Sequence, residues 1–277
     1  MGHAQQAVEL LTTATAEQAA QIADHLARAN AERQKVEREI TEQAVEMVLA
    51  AGLDSPDRRC IVLANDAWHG GVIGIVASRL VGQFNRPTIL IACNGDGLGQ
   101  GSGRSIAGFH LRDALAACGG CLESFVGHAM AGGLRIRVDR VAQFAAAMEQ
   151  HAQQALPAEC LEPTLDIDAR ATFAQLSFDA VQCLAKLAPF GQGNPTPLLC
   201  FEACQLLGPP RRMGRTGQTV SMLLGQGGVR VRAVGFGMGD LADALAGVRQ
   251  VDLAAQPKIN RFNGQASVEL ELVDVKW

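Results

Sequence analysis

Between Thr15 and Gly52 the chain carries neither glycine nor proline, and along that run Ile22, Leu26, Ala29, Val36, Ile40 and Met47 recur at spacings of three, four and seven, with charges between them. This is the periodicity of one helix face. At its head, Thr15-Ala16-Glu17-Gln18 has the pattern of a capping box, in which the threonine and glutamine side chains satisfy one another's backbone N–H groups. The spacing predicts a single helix of about 35 residues, roughly 50 Å long at 1.5 Å per residue. No small core covers such a length, so the helix reads as a strut between domains or as one strand of a homodimeric coiled coil. A shorter helix over 4–11 (AQQAVELL) precedes it.

Beyond Gly52 the pattern changes. Asp54-Ser55-Pro56-Asp57 reads as a turn, 60–64 (CIVLA) as a buried strand, the segment from Gly70-Gly71 to Phe84 as a helix, and 88–93 as a second buried strand. Two continuous apolar runs flanking a helix predict a βαβ unit on a parallel sheet. Gly95-Asp96-Gly97 has hairpin chemistry. A helix bearing Leu111, Ala114, Leu115 and Cys118, a strand over 134–138 and a helix over 141–156 complete an α/β domain expected over 53–157. A linker with its own helix (176–187) follows over 158–197, with a strand expected at 164–168. Strand-like runs at 198–207, 218–224, 229–236, 250–259 and 266–275 predict an all-β barrel of the OB type over 198–277.

With 277 residues, 48% hydrophobic and 19% charged, the chain has material for two packed domains. Its net charge of −4 gives no global attraction to nucleic acid, so any such binding depends on local basic patches. Tyrosine is absent and aromatics make up only 4%, which limits base stacking. There is no apolar run near 18 residues and no secretory pattern at Met1-Gly2-His3, so a cytoplasmic monomer with no membrane contact is expected. Cys118-Gly-Gly-Cys121 has metal-knuckle spacing without a second pair, which favours free thiols near a helix end. Asp166 and Asp168 have no third acid or histidine near them and read as a solvated strand face. No metal site is expected on this chain.

Two stretches carry candidate chemistry. In Ser102-Gly103-Arg104-Ser105 a loop would offer bare N–H groups, hydroxyls and a forked cation to one anion, most simply a phosphate; no acid lies between Asp96 and Asp113. The alternative is a tight turn ahead of a helix. Downstream, Gly127-His128 precedes Ala131-Gly132-Gly133. In the barrel, Arg211, Arg212, Arg215, Arg230 and Arg232 fall between Glu202 and Asp240 with no acid among them, a zone able to follow a phosphate backbone unless it is merely solvated surface. Arg230 and Arg232 should share one strand face. Trp68 reads as packing.

GSGRSIAGFHLRDAL (101–115) followed by FVGHAMAGGL (125–134) resembles the DHHA1 domain of the RecJ single-stranded-DNA exonucleases. WHGGVIGIVASRL (68–80), PFGQGNPTP (189–197) and GFGMGD (235–240) resemble the same family in the same order. The resemblance implies that 1–52 is the end of a DHH catalytic domain plus a long connecting helix, followed by DHHA1 and OB-like domains. It implies a 5′-to-3′ exonuclease of DNA repair and recombination, with Ser102 and Arg104 at the 5′ phosphate and Gly103 and Ser105 beside them among the substrate-binding residues. His128 and the Gly127 backbone would contact the phosphate beside the metals. Val126 stands where the family has the first glycine of Gly-Gly-His. The Mn²⁺ or Mg²⁺ ligands of the family belong to the DHH domain, and this chain has no Asp-His-His: Asp24-His25 is followed by Leu26. The segment alone is therefore expected to bind single-stranded DNA without cleaving it. Single-stranded-DNA-binding protein and helicase are implied as partners. A stand-alone binding module, or a fragment of a phosphodiesterase for oligonucleotides or cyclic dinucleotides, are the alternatives.

Overall fold

The computed structural model describes residues 4–262 and 264–277; Met1-Gly2-His3 lie outside them. The chain forms two compact units, Met1–Pro163 and Thr164–Trp277.

The first unit opens with α1 (Ala4–Thr12) and α2 (Ala16–Ala50), a 35-residue helix that starts at the expected capping box. Thr15 N donates to Gln18 Oε1 at 2.9 Å while the Thr15 hydroxyl accepts from Gln18 N at 3.4 Å. The two halves of α2 differ. Up to residue 36 every side chain is exposed or half-exposed, whereas Glu37, Ile40, Ala44 and Val48 are buried. Ile40, Ala44 and Val48 pack with Trp68, Val72, Ile73, Val76 and Leu80. Two polar ties fix this contact. The Trp68 indole donates to Gln43 Oε1 at 3.1 Å, and the Glu37 carboxylate, 2% exposed, is held by Arg33 and Arg79. The expected boundary at 52/53 thus runs past a helix whose second half belongs to the α/β core.

That core is built on β1 (Ile61–Asn65), α3 (Ile73–Phe84), β2 (Thr88–Cys93), β3 (Leu98–Arg104), α4 (Leu111–Ala117), β4 (Leu122–Gly127), β5 (Ala131–Arg137) and α5 (Val141–Ala155). The sheet order is β1-β2-β3-β5-β4. Only β1 and β2 run parallel, joined through the α3 crossover; the other pairs are antiparallel. One face is sealed by α4 and α5 through Leu111, Leu115, Phe144 and Met148 against Ile89, Ile91, Leu134 and Ile136. On the other face α2 and α3 cover Ile61, Leu63, Leu90 and Ala92. Two expectations change here. The stretch 101–104 is the middle strand of the sheet and not a loop, and 122–127 forms a strand that its mixed composition (LESFVG) conceals.

In the second unit α6 (Phe178–Ala185) is capped by Ser177, whose hydroxyl accepts from Ala180 N at 3.1 Å. Instead of a strand over 164–168 there is only the two-residue β6 (Ala169–Arg170); Asp168 Oδ2 accepts from Leu198 N at 2.8 Å and ties the entry segment to the barrel. The barrel strands are β7 (Leu199–Leu206), β9 (Thr219–Gln226), β10 (Val229–Phe236), β11 (Gln250–Phe262) and β12 (Gln265–Lys276), with β8 (Arg211–Met213) and α7 (Leu241–Ala244) between them. Pairing runs β7-β11-β12-β10-β9, with β10 and β12 parallel, and returns to β7 through Gln205↔Gly225 and Leu206↔Leu224. That short return is the partly open closure of an OB-type barrel. Phe201, Val220, Leu224, Ala233, Leu253 and Leu270 fill its centre, with the Phe173 ring 5.5 Å from that of Phe201.

Candidate nucleic-acid interface

In β3 glycine occupies every second position: Gly99-Gln100-Gly101-Ser102-Gly103-Arg104. Alternate strand residues face opposite sides of a sheet, so the three glycines share one face. They face the α4–α5 core, where there is no room for anything larger. A Cβ on Gly99 would lie 2.7 Å from Ile91 Cγ2, and one on Gly101 would lie 2.7 Å from Leu134 Cγ; at Gly103 it would meet Leu111 Cδ2 at 3.0 Å. The opposite face receives Gln100, Ser102 and Arg104.

Against that row lies the start of α3. A Cβ on Gly74 would sit 2.9 Å from Ser102 Oγ and 3.2 Å from Arg104 Nη2. Arg104 Nη1 donates to the Gly103 carbonyl at 2.8 Å and to Ser102 Oγ at 3.3 Å. The guanidinium is thus aimed by its own strand. Among the described residues it has no carboxylate partner. No side chain caps the N-terminus of α3, the positive end of the helix dipole. The Val72 and Ile73 N–H groups there donate to the His69 carbonyl at 2.9 and 3.3 Å, so α3 contributes its dipole and not free donors. A fixed cation and a hydroxyl meet at that positive end, a combination suited to phosphate.

Two of the expected contributions take another form. The backbone N–H groups of 101–104 are not bare, because β3 is laddered to β2 on one edge and β5 on the other. Gly103 supplies space for the core, not access for a ligand. Ser105 is 4% exposed; its hydroxyl donates to the Phe109 carbonyl at 2.7 Å and its N–H to the Met130 carbonyl at 2.9 Å. It fixes the chain. Of the four residues, Ser102 and Arg104 have side chains left for a ligand.

His128 sits in the turn joining β4 to β5. Gly127 is irreplaceable in this turn, since a Cβ would lie 2.6 Å from the Ala131 carbonyl oxygen and 2.8 Å from Gly132 Cα. His128 N donates to the Ala131 carbonyl at 2.9 Å, and His128 Nδ1 accepts from Met130 N at 3.4 Å. With Nδ1 accepting, a neutral ring carries its proton on Nε2, which makes the exposed edge a donor. The turn is anchored where Leu111 N donates to the Ala129 carbonyl at 2.9 Å, and β3 pairs Arg104 with Ala131. Arg104 and the His128 turn are thereby brought to the same end of the sheet. Val126 is paired with Gly133 in regular strand and is 74% exposed. A β-branched residue suits that position, and the freedom the turn needs lies at Gly127.

Sequence reasoning missed Gly74, Gln100 and Arg135 as parts of this surface. The signal was present in the period-two glycines, which mark a strand with one bare face and one functional face.

In the barrel the five arginines do not act alike. Arg212 is paired with Asp240 at 2.9 Å and Asp243 at 2.6 Å, so the acid-free interval in the sequence is closed by acids just beyond it. Arg232 binds Glu269 of β12 at 3.1 Å and Ser221 Oγ at 3.1 Å. Arg211 and Arg230 have no carboxylate partner among the described residues. Register places Arg230 and Arg232 on the outer face of β10, as expected, together with Leu223 of β9 (46% exposed) and Arg211 of β8. Arg211, Arg232, Ser221 and Leu223 line one shallow cavity of 320 Å³ on that face.

Cys118 and Cys121 are buried in the α/β core, and desolvation pushes the Cys118 thiol up to about 11, with Cys121 beside it adding to the rise. Among the described residues no three His, Cys, Asp or Glu side chains converge as metal ligands, so the donor set present does not fit a divalent metal. No described helix is long and apolar enough to cross a membrane.

Comparison with known proteins is consistent along the chain. A model of the DHHA1 domain matches residues 57–154 and a model of the RecJ OB domain matches 167–274. The single-stranded-DNA-specific exonuclease RecJ of Bacillus subtilis (strain 168) is 31% identical over 269 residues, covering 97% of this chain and 34% of the relative. RecJ of Dickeya dadantii (strain 3937) is 34% identical over 277 residues, covering 98% of this chain and 47% of the relative. The chain therefore spans less than half the length of these relatives. The crystal structure of RecJ from Thermus thermophilus in complex with Mg²⁺ matches with a TM-score of 0.80 at 30% identity, covering 99% of this chain and 40% of that one; the Mn²⁺ complex from the same organism matches with 0.78.

Proposed function

The chain belongs to the RecJ family, whose DHHA1 and OB domains it carries in order, and from that premise we propose that it is the substrate-binding portion of a single-stranded-DNA exonuclease acting 5′ to 3′. The observation that carries the reading is the acid-free Arg104 guanidinium, fixed by Gly103 and Ser102 against the start of α3. Arg104 forks onto two oxygens of a 5′ phosphate, Ser102 donates a third hydrogen bond, and the α3 dipole adds positive potential. His128 donates from Nε2 to a phosphate oxygen nearer the reacting bond. In the barrel, Arg211 and Arg230 hold backbone phosphates of single-stranded DNA; Arg212, engaged by two aspartates, and Arg232, engaged by Glu269, have no part in this.

Hydrolysis and its Mn²⁺ or Mg²⁺ belong to a DHH domain outside this chain, and no step is assigned to a metal here. The chain alone binds and does not cleave. Single-stranded-DNA-binding protein and helicase are its expected partners in repair and recombination, and the setting is cytoplasmic.

The test is fluorescence anisotropy with a 3′-labelled single-stranded oligonucleotide carrying either a 5′ phosphate or a 5′ hydroxyl. The phosphorylated strand should bind about tenfold more tightly or better, as one charge-assisted contact would give. Arg104→Ala should erase the difference. Equal binding of the two strands by the unaltered chain would exclude the reading, and decay of the signal to the free-dye value would exclude the claim that the chain does not cleave.

A further inference from the structure

The sheet face that α2 and α3 cover over β1 and β2 is open over β5 and β4, where Ser124, Val126 and Arg135 are exposed. Register pairs Gln100 with Arg135 and Arg135 with Ser124, while Ser102 is paired with Gly133 and Gly133 with Val126. Period-two alternation puts Gln100, Ser102, Arg104, Arg135, Ser124 and Val126 on one face. Arg135 is exposed and has no ion-pair partner among the described residues, in contrast to Arg137, which Asp139 binds at 2.7 Å. Gln100, Ser124, Val126 and Arg135 surround a shallow cavity of 240 Å³ above the backbone of Gly101 and Gly133. The missing side chain at Gly133 is what leaves it open: a Cβ there would protrude into the face, meeting nothing closer than the Gly101 carbonyl oxygen at 3.7 Å.

We propose that this cavity is a second nucleic-acid subsite, in which Arg135 binds a backbone phosphate of the same strand whose 5′ end is held at Arg104. The inference rests on the reading of Arg104 given above. The Gln100–Arg135 pair lies four residue steps along the strand from Arg104, roughly 13 Å at 3.3 Å per step, so the two arginines address different phosphates of one chain. Gln100 and Ser124 supply neutral hydrogen-bonding groups and Val126 an apolar wall for the sugar. None of these chemistries distinguishes one base from another, so the subsite reads backbone and not sequence. The site accounts for two features that the fold does not require: a glycine at 133 that core packing would let become alanine, and a cation at 135 with no carboxylate partner among the described residues.

The experiment uses the whole chain and 3′-labelled oligothymidylates of two and six nucleotides, each with a 5′ phosphate or a 5′ hydroxyl, over a series of salt concentrations. Arg135→Ala should weaken the phosphorylated hexamer about tenfold. It should also reduce the slope of log affinity against log salt by about 0.7, the value for one lost phosphate contact on a single strand. The dinucleotide and the ratio between 5′-phosphate and 5′-hydroxyl strands should be unaffected. Arg135→Lys should restore the slope. Gly133→Ala, which the fold accommodates, should weaken the hexamer and spare the dinucleotide. A wild-type slope and affinity in Arg135→Ala overturn the subsite, as does an equal loss on the dinucleotide. Absence of a 5′-phosphate preference in the unaltered chain overturns the Arg104 reading instead, an outcome the slope measurement separates from the first.

Discussion

Gly74→Ala should stabilise the protein and damage its binding site at once. In a helix interior alanine is favoured over glycine by about 1 kcal/mol, because the glycine backbone loses more freedom on folding. Residue 74 lies in the first turn of α3 with ordinary helical geometry, so most of that gain applies. The new Cβ would meet Ser102 Oγ at 2.9 Å and Arg104 Nη2 at 3.2 Å, short of the 3.4 Å at which ordinary contact begins. Both atoms are side-chain ends able to move, so the helix keeps its place and the two side chains give way. A displacement of several tenths of an ångström is enough to spoil a preorganised site. The lost charge-assisted contact is worth about 1.5–3 kcal/mol, or roughly 10- to 150-fold in affinity for a 5′-phosphorylated strand. Thermal unfolding and anisotropy on the same sample measure the two effects. Stability should be unchanged or raised by up to about 4 °C for a unit of this size. Undiminished preference for the 5′ phosphate would show that the gap left by Gly74 does not shape the site, and a large fall in unfolding temperature would refute the packing reasoning.

Three further outcomes follow from the geometry. Glu37→Ala leaves Arg79 without its partner on the buried stripe of α2 and should cost about 2 kcal/mol in urea unfolding followed by the fluorescence of the buried Trp68; Arg79, more than half exposed, can return to water, which keeps the loss below that of a fully buried pair. Arg212→Ala should leave single-stranded-DNA affinity and its salt slope untouched, because Asp240 and Asp243 already hold that side chain, whereas Arg211→Ala and Arg230→Ala should each lower the slope by about 0.7; a larger loss for Arg212 would refute the division. Burial holds the Cys118 thiol up at about 11 and the Cys204 thiol at about 12, above the value near 9.0 of an unfolded chain. Since the unfolded thiols lose their protons first, stability is full below pH 9 and falls as pH rises, by about 1.4 kcal/mol per pH unit for each thiol; urea titrations at pH 8 and pH 10 should show the fall, and Cys204→Ala should lessen it in the barrel.

Much of this architecture was legible in the sequence. The α2 helix announced both its start at Thr15 and its end near Gly52, because capping and helical period are local properties. The βαβ unit and the five barrel strands were equally plain, being apolar runs between turn residues. What failed to show were elements whose reason for existing is tertiary. β4 has no alternation to reveal it and forms because β5 offers an edge. β8 is three residues long and exists by pairing with β9. The run 164–168 looked like a strand, yet Asp168 turns there to accept from Leu198 N.

The candidate site divides along the same line. Sequence alone determined which residue types were available: an arginine and serine amid glycines, a histidine after a glycine, a cluster of barrel arginines, and the lack of an Asp-His-His set. Glycine by itself does not say whether it permits a loop, or a strand against a crowded core. Only the tertiary structure decided that Gly99, Gly101 and Gly103 serve Ile91, Leu134 and Leu111, turning Ser102 and Arg104 toward α3. It also decided which cations are free, because Asp240, Asp243 and Glu269 come to Arg212 and Arg232 across strands and turns. Charge pairing depends on distance in space, and a linear sequence carries that distance only for neighbours.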